Sequence, residues 1–467
     1  MHAFKSLTTD KVEEQKSQCQ LRKATIYLMG HLTYFLPYIL RGSFLWSILR
    51  DIIGGAKHKV PRVHAAGLME FTKHKNIYLT WLSVFMMFAI RAGVILTPYE
   101  VFRETYILVE GNKIAGISRD KPEGLKDIYK YDDYILAPGL VDIHTHGGFG
   151  IDLTYSTIKG VNEFSKHLLA TGVTSYMPSI VTESFDMMEL AVKNISEVSS
   201  MHGGSRILGI HLEGPYLNPV RSGAQSKEHM RKPSLEEFER LYDVSRGLIK
   251  RITIAPEIEG GINFIREVKG KFGVKVSLGH TDATYEQALR AIEAGANIIT
   301  HLFNGMREYH HREPGIIGAA LTARKVYTEI ISDFIHLHPA TINLVLKCKG
   351  TNKTILVSDS ISGAGLSDGF YTLGSNKIII KDGIARTENG SLAGSTLTLI
   401  RAVQNMVKIG INLKEAVKMA TSTPCNAMGI KKIGRIAKGC KADLIILNRK
   451  LDVMETYIDG KIYEKNY

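Results

Sequence analysis

Six side chains able to hold a divalent metal or to move a proton recur through the middle of the chain, each at the end of a short apolar run. They are His144 and His146 in VDIHTHGG, Glu213 in GIHLEGPY, His280 in SLGHTDAT, His301 in THLFNGM and Asp359 in LVSDSIS. Imidazole nitrogens and carboxylate oxygens are the usual ligands of zinc or ferrous iron at a hydrolytic centre. Such a cation lowers the pKa of a bound water from about 15.7 to near 7, and a neighbouring carboxylate can take a proton and return it. Taken singly, each of these residues also suits a helix cap or a core histidine. Recurrence on successive strand ends points instead to one catalytic centre.

Residues so spaced need a scaffold that brings strand ends together. Between about Asp142 and Leu366, the strand-like pieces RILGIHLEG, VKVSLGHT, NIITHLF, YTEIISD and TILVSD alternate with helical stretches such as Tyr285–Ala294. That alternation is the pattern of parallel β/α units. It predicts an α/β fold, a (β/α)8 TIM-like barrel over residues 138–371 with 391–430 returning to it, whose strands deliver catalytic residues at their carboxyl ends. His144 and His146, two apart on one strand, share a face and can both point into the barrel mouth. On either side lie short strands with glycine turns, FAIRAGVIL and YILVEGNKIAGIS before the barrel, KIIIKDGIA, GRIAKGCKADLIILN and METYIDGKIYE after it. The two ends are expected to build one small β-sandwich from 88–137 and 372–467.

The chain carries a formal net charge of +13 over 467 residues. Residues 1–85 hold twelve Lys/Arg and five Asp/Glu, a net +7, which leaves only +6 for the rest. A mildly basic body fits an anionic small molecule, and no nucleic-acid partner is expected. Cys19, Cys348, Cys425 and Cys440 stand singly, so neither a disulfide framework nor a thiolate zinc site is suggested, and the compartment reads as reducing. In the first 85 residues the uncharged run Ala24–Leu40 is broken by Gly30, His31 and Pro37 and is at the short limit for a membrane span. No signal-peptide order is present. Three readings of 1–85 stay open: a membrane role, a loosely packed accessory segment, or an upstream extension of a reading frame starting at Met86 or Met87. No membrane partner is expected for the body.

From about Phe88 to Tyr463 the body resembles the N-acetylglucosamine-6-phosphate deacetylases of the amidohydrolase superfamily. The resemblance lies in APGLVDIHTHGG, HLEGPYLNP followed by GAQ, GHTDATYEQALRAIEAGA, THLFNGM followed by REPG, LVSDSISGAG and GSLAGSTLTL. It implies that Glu213, His280 and His301 bind the principal metal and that Asp359 is the catalytic base and acid. Some members lack the H-x-H pair and hold one ion. Here His144 and His146 are intact, so one or two ions per subunit, zinc or iron, are implied, with Glu213 as a bridge between two. Gln225 stands where some members place a histidine that polarises the acetamide carbonyl and where other members resemble this chain. A glutamine N–H donates but cannot become cationic.

The same resemblance places His336 on a sugar hydroxyl, with His338 as its neighbour. It places the phosphate on Asn304, Gly305 and Arg312, the arginine reaching across a homodimer interface, and it closes the pocket with Leu392, Ala393 and Gly394. It implies a cytoplasmic enzyme that converts N-acetyl-D-glucosamine 6-phosphate to D-glucosamine 6-phosphate and acetate. The alternative is a deacetylase of another N-acetyl-hexosamine phosphate, such as N-acetylgalactosamine 6-phosphate. A cyclic amidase commonly bridges its metals with a carboxylated lysine, where this chain has Glu213. A non-catalytic scaffold usually loses ligands, and none is missing here.

Overall fold

The computed structural model describes residues 87–463 apart from His202, so the expectations for 1–85 lie outside the described residues. The described part opens with four strands, β1 (Met87–Leu96), β2 (Val101–Glu110), β3 (Lys113–Ser118) and β4 (Ile128–Pro138). In β2 every second residue of Thr105, Ile107 and Val109 is buried, the period of a strand with one apolar face. Three strands from the far end, β16 (Leu444–Leu447), β17 (Val453–Ile458) and β18 (Lys461–Ile462), complete a seven-stranded sheet in the order β18-β17-β16-β4-β1-β2-β3. Ile90, Ile107, Val109, Leu136, Leu444 and Ile446 form a core of its own. Ile445 and Leu447, on the opposite side of β16, join the larger core of the barrel.

Gly139 links β4 to the first of eight parallel strands. These are β5 (Leu140–Thr145), β6 (Val173–Ile180), β7 (Ile210–Glu213), β8 (Ile249–Ile254), β9 (Lys275–Leu278), β10 (Ile298–Ile299), β11 (Tyr327–Ile330) and β12 (Thr354–Leu356). Each pairs with its successor in chain order. All eight residues of β6 are buried, as expected of a strand covered on both faces. The gap between β12 and β5 is bridged just beyond the ladder, where the Asp359 N–H donates to the His144 carbonyl at 2.9 Å and the His146 N–H to that of Ser360 at 2.8 Å. The barrel is therefore joined there by backbone that carries the candidate catalytic groups.

Helices α1 (Ile158–Ala170), α2 (Phe185–Val198), α3 (Leu235–Val244), α4 (Gly261–Phe272), α5 (Tyr285–Ala294), α6 (Gly315–Thr322) and α7 (Pro339–Lys349) alternate with these strands, and α8 (Leu399–Lys408) follows the last. In α5, Thr284 and Gln287 form a capping box, so the helix starts abruptly five residues after His280. The segment 391–430 includes α8, α9 (Leu413–Met419) and α10 (Ser422–Met428), whose apolar residues join the barrel core.

One pairing differs from expectation. The strand of KIIIKDGIA does not enter the seven-stranded sheet. It is β14 (Asn376–Lys381), between β13 (Gly369–Leu373) and β15 (Ile384–Thr387) in a separate three-stranded sheet. Its inward residues Ile378 and Ile380 pack with Val181, Ile361 and Ala393. Period-two alternation shows that a strand has an apolar face, not which surface will cover it.

Candidate active site

The five candidate ligands converge because the barrel strands end together. The imidazoles of His144 and His146 lie edge to face with centroids 5.1 Å apart. Glu213, at the end of β7, sits at the centre: its Oε1 is 3.4 Å from His144 Nε2, 3.2 Å from His280 Nε2 and 3.0 Å from His301 Nε2. Its Oε2 is 3.2 Å from His146 Nε2. Asp359 Oδ1 stands 3.2 Å from His146 Nε2 and 3.4 Å from His144 Nε2. All six side chains are buried. Two groups are compact enough to hold an ion, His144 with His146 and Glu213, and Glu213 with His280 and His301, with Glu213 common to both.

The outer ring nitrogens reveal what the inner ones require. His146 Nδ1 meets the Ser179 carbonyl at 3.1 Å, His280 Nδ1 that of Arg221 at 3.0 Å and His301 Nδ1 that of Asn304 at 3.2 Å. A carbonyl only accepts, so these Nδ1 atoms carry a proton, and each Nε2 facing a carboxylate either carries a second proton or offers its lone pair to a cation. Lone pairs facing carboxylates at hydrogen-bond distance need either protons or a cation between them. Burial alone would lower the His146 pKa, yet the carboxylates of Asp359 and Glu213 push it up to about 9, and His144 is raised well above its ordinary value. Burial likewise works against ionised Glu213 and Asp359, but the surrounding imidazoles hold both carboxyls below the usual range. The donor set, its polarity and its oriented outer nitrogens fit a divalent metal.

Backbone strain accompanies this convergence. His280, His301 and Asp359 follow their strands with φ of 47°, 26° and 49°. Each left-handed non-glycine residue costs about 1–2 kcal/mol, so the surrounding structure must hold it there. Gly305 (φ 58°) and Gly394 (φ 53°) are required by close approach: a Cβ on the first would come within 2.8 Å of His280 Nδ1, and on the second within 2.8 Å of the Asp359 carbonyl oxygen. The Ser395 N–H also donates to that carbonyl at 2.7 Å, so the glycine-rich loop is stitched directly to the backbone of the candidate base.

Above the ligands lies a cavity of about 320 Å³, lined by His146, Glu213, His280, His301, Asp359, Gln225, Asn304, Gly305, His336, Leu392 and Gly394 among the expected residues. Gln225 donates to Glu213 Oε2 while its Oε1 accepts from the Thr182 N–H at 2.7 Å, which fixes the amide with its nitrogen toward the ligands. His336 is held by Asp333, Nδ1 to Oδ2 at 2.7 Å. His338 caps α7, accepting from the Ala340 N–H. His144, fully buried, does not line the cavity, and two other expected residues are elsewhere. Ala393 is buried in the core of the three-stranded sheet, and Arg312 is on the surface with its guanidinium against His311 Nε2 at 2.8 Å. The sequence reading missed Gly223, Ala224, Leu373 and Ser391, which also line the cavity. The first two immediately precede Gln225 and were within reach. Leu373 gives no local signal, because it arrives on β13 from the inserted sheet.

Residues 135–463 match the amidohydrolase family, and the chain belongs to that family. Relatives narrow the class. The N-acetylglucosamine-6-phosphate deacetylase of Bacillus subtilis (strain 168) is 34% identical over 376 residues, 79% of this chain and 95% of the relative. The N-acetylgalactosamine-6-phosphate deacetylase of Escherichia coli O157:H7 is 36% identical over 334 residues, 71% of this chain and 88% of the relative. A solved complex of the Mycobacterium smegmatis N-acetyl-D-glucosamine-6-phosphate deacetylase with N-acetyl-D-glucosamine-6-phosphate superposes with a TM-score of 0.77 at 31% identity, covering 81% of this chain and 99% of that one. The resemblance carried by HLEGP and HLFNGM is thus borne out. Among the described residues, no helix is long and apolar enough to cross a membrane.

Proposed function

We propose that this chain hydrolyses the acetamide of N-acetyl-D-glucosamine 6-phosphate, giving D-glucosamine 6-phosphate and acetate. The observation that carries the reading is the convergence of four imidazole Nε2 atoms on Glu213, with Asp359 beside them, at the floor of a cavity whose other walls bear Asn304, Gly305 and His336. A divalent cation, zinc or iron, on Glu213, His280 and His301, and a second on His144, His146 and Glu213, would supply a Lewis acid and a water acidified toward neutral pH.

Asp359 does the proton work. Its carboxylate is kept ionised by the imidazoles, so it accepts the proton of the attacking water and then delivers it to the amide nitrogen, which must be protonated to leave as an amine. The Gln225 amide, pinned by Thr182, offers a donor toward the acetamide oxygen as negative charge develops there. His336, oriented by Asp333, is available to a sugar hydroxyl. Asn304 and the Gly305 backbone take the phosphate. The surface position of Arg312 supports its contribution across a homodimer interface, where a guanidinium matches phosphate oxygens in charge and shape. A phosphorylated substrate and the free Cys348, Cys425 and Cys440 support a cytoplasmic setting.

The test is acetate release from N-acetylglucosamine 6-phosphate, its galacto epimer and the unphosphorylated sugar, with metal content measured on the same protein. The gluco phosphate should have the highest kcat/KM. A preparation that carries its metal yet releases no acetate from either phosphate would sink the reading.

A further inference from the structure

Below the ligands lies a charged pair that the hydrolytic reading does not use. Arg251 on β8 and Glu329 on β11 are fully buried and ion-paired through Nη1 and Oε1. The guanidinium also donates from Nε to Ser277 Oγ at 2.6 Å, from Nη1 to the Ile143 carbonyl at 3.1 Å and from Nη2 to Thr300 Oγ1 at 3.3 Å. The other carboxylate oxygen of Glu329 accepts from His144 Nδ1 at 3.1 Å and from the backbone N–H of His301 at 3.3 Å. A buried ion pair is weak evidence for stability, since well-packed apolar residues often serve as well or better. Its geometry here suggests another use.

Three of the four imidazoles at the site are steered by backbone carbonyls, which come with the fold. His144 alone is steered by a side-chain carboxylate. Its remaining neighbour on that side, His211, packs edge to face at 4.7 Å and is itself committed to Ser179 Oγ and Thr253 Oγ1. We propose that Arg251 and Glu329 are positioning residues that set the ring orientation and tautomer of His144, and so create the ion position formed by His144, His146 and Glu213. Arg251 locks one oxygen of Glu329, which leaves the other directed at Nδ1. The Nδ1 proton is thereby fixed and the Nε2 lone pair is presented to the ion, with the carboxylate making that nitrogen a stronger donor. The ion position formed by Glu213, His280 and His301 depends on Glu329 less: its rings are steered by backbone carbonyls, and the carboxylate reaches only the backbone N–H of His301, not a ring nitrogen. The backbone there has a second anchor that side-chain substitution leaves in place, the Leu302 N–H donating to the Glu329 carbonyl at 2.9 Å.

This inference rests on the two-ion reading, and the experiment separates the two. Ions per subunit, and the affinity for each, are measured by titrating metal-free protein with zinc, for the wild type, Glu329→Gln and the charge-free pair Arg251→Met with Glu329→Leu. In Glu329→Gln a single amide oxygen must serve both Arg251 and His144, so one of them faces an N–H. If that one is His144, its ring proton moves to Nε2. The expected result is an unchanged first ion and a second bound about 10- to 100-fold more weakly. The double substitution leaves no unpaired charge and should show the same selective loss even if the single variant folds poorly. Two ions bound with wild-type affinity in the double variant, or parallel weakening of both, would overturn the assignment. A wild type that binds one ion would instead defeat the two-ion reading on which it stands.

Discussion

The floor and the rim of the cavity are built on different terms. On the floor, His144, His146, Glu213, His280, His301 and Asp359 are buried on or just beyond parallel strands, and each ring has its outer nitrogen engaged. On the rim, Leu373, Ser391 and Leu392 come from an inserted sheet and its loop, and beyond the rim Arg312 is exposed on the surface. Side chains that perform the bond-breaking step must hold their positions to a fraction of an ångström, whereas those that admit and discriminate substrate can be supplied by loops on a rigid frame.

Asp359→Asn should break the floor most severely. The amide keeps the size of the carboxylate but cannot exchange the proton, so turnover should fall by about 10²–10⁴-fold with metal content unchanged. Acetate release at the wild-type rate would remove Asp359 from the reaction. Beyond the rim, Arg312→Ala should cost about 1.5–3 kcal/mol in kcat/KM for the phosphorylated sugar and little for the free sugar. Loss in kcat as well as KM is expected, because a remote anchor also orients the reacting bond. If the ratio of the two substrates stays at its wild-type value, Arg312 is an ordinary solvated residue.

Gly305 sits where the two regions meet. Gly305→Ala places a methyl group 2.8 Å from His280 Nδ1, and metal affinity should drop by about tenfold as the ring is displaced. An unaltered metal titration would show that the floor yields more easily than its buried contacts suggest. The smallest effect on activity is expected for Leu373→Ala, which trims the rim. KM should rise a few-fold with kcat retained, while the buried side chain's loss lowers stability by about 2–5 kcal/mol in a thermal melt. A fall in kcat matching that of Asp359→Asn would erase the distinction between floor and rim.

What the sequence disclosed follows the same division. The floor was legible because each of its residues ends a strand and stands in a short motif, so residue type, spacing and β/α alternation all agreed. The barrel was legible for the same reason. The destination of β14 was not, since Ile378 and Ile380 mark an apolar face without naming the surface that covers it. Leu373 went unseen because a lone leucine in a β-hairpin carries no chemistry. Arg251 and Glu329 went unseen because RITI and TEII read as ordinary strands, and only the closing of the barrel brings the two charges together.

The pairing of β4 with β16 has a consequence for synthesis. Leu136 lies opposite Ile446 in the sheet, so β4, which leads straight into the strand bearing His144, waits for its neighbour until nearly the whole barrel has left the ribosome. During that interval the β16-facing side of β4 is an open edge, the kind that recruits other nascent chains. Contacts of such long sequence separation also form late and slowly. Deletion of Leu444–Leu447 should therefore damage yield and solubility out of proportion to its four residues, although none of those residues touches the cavity.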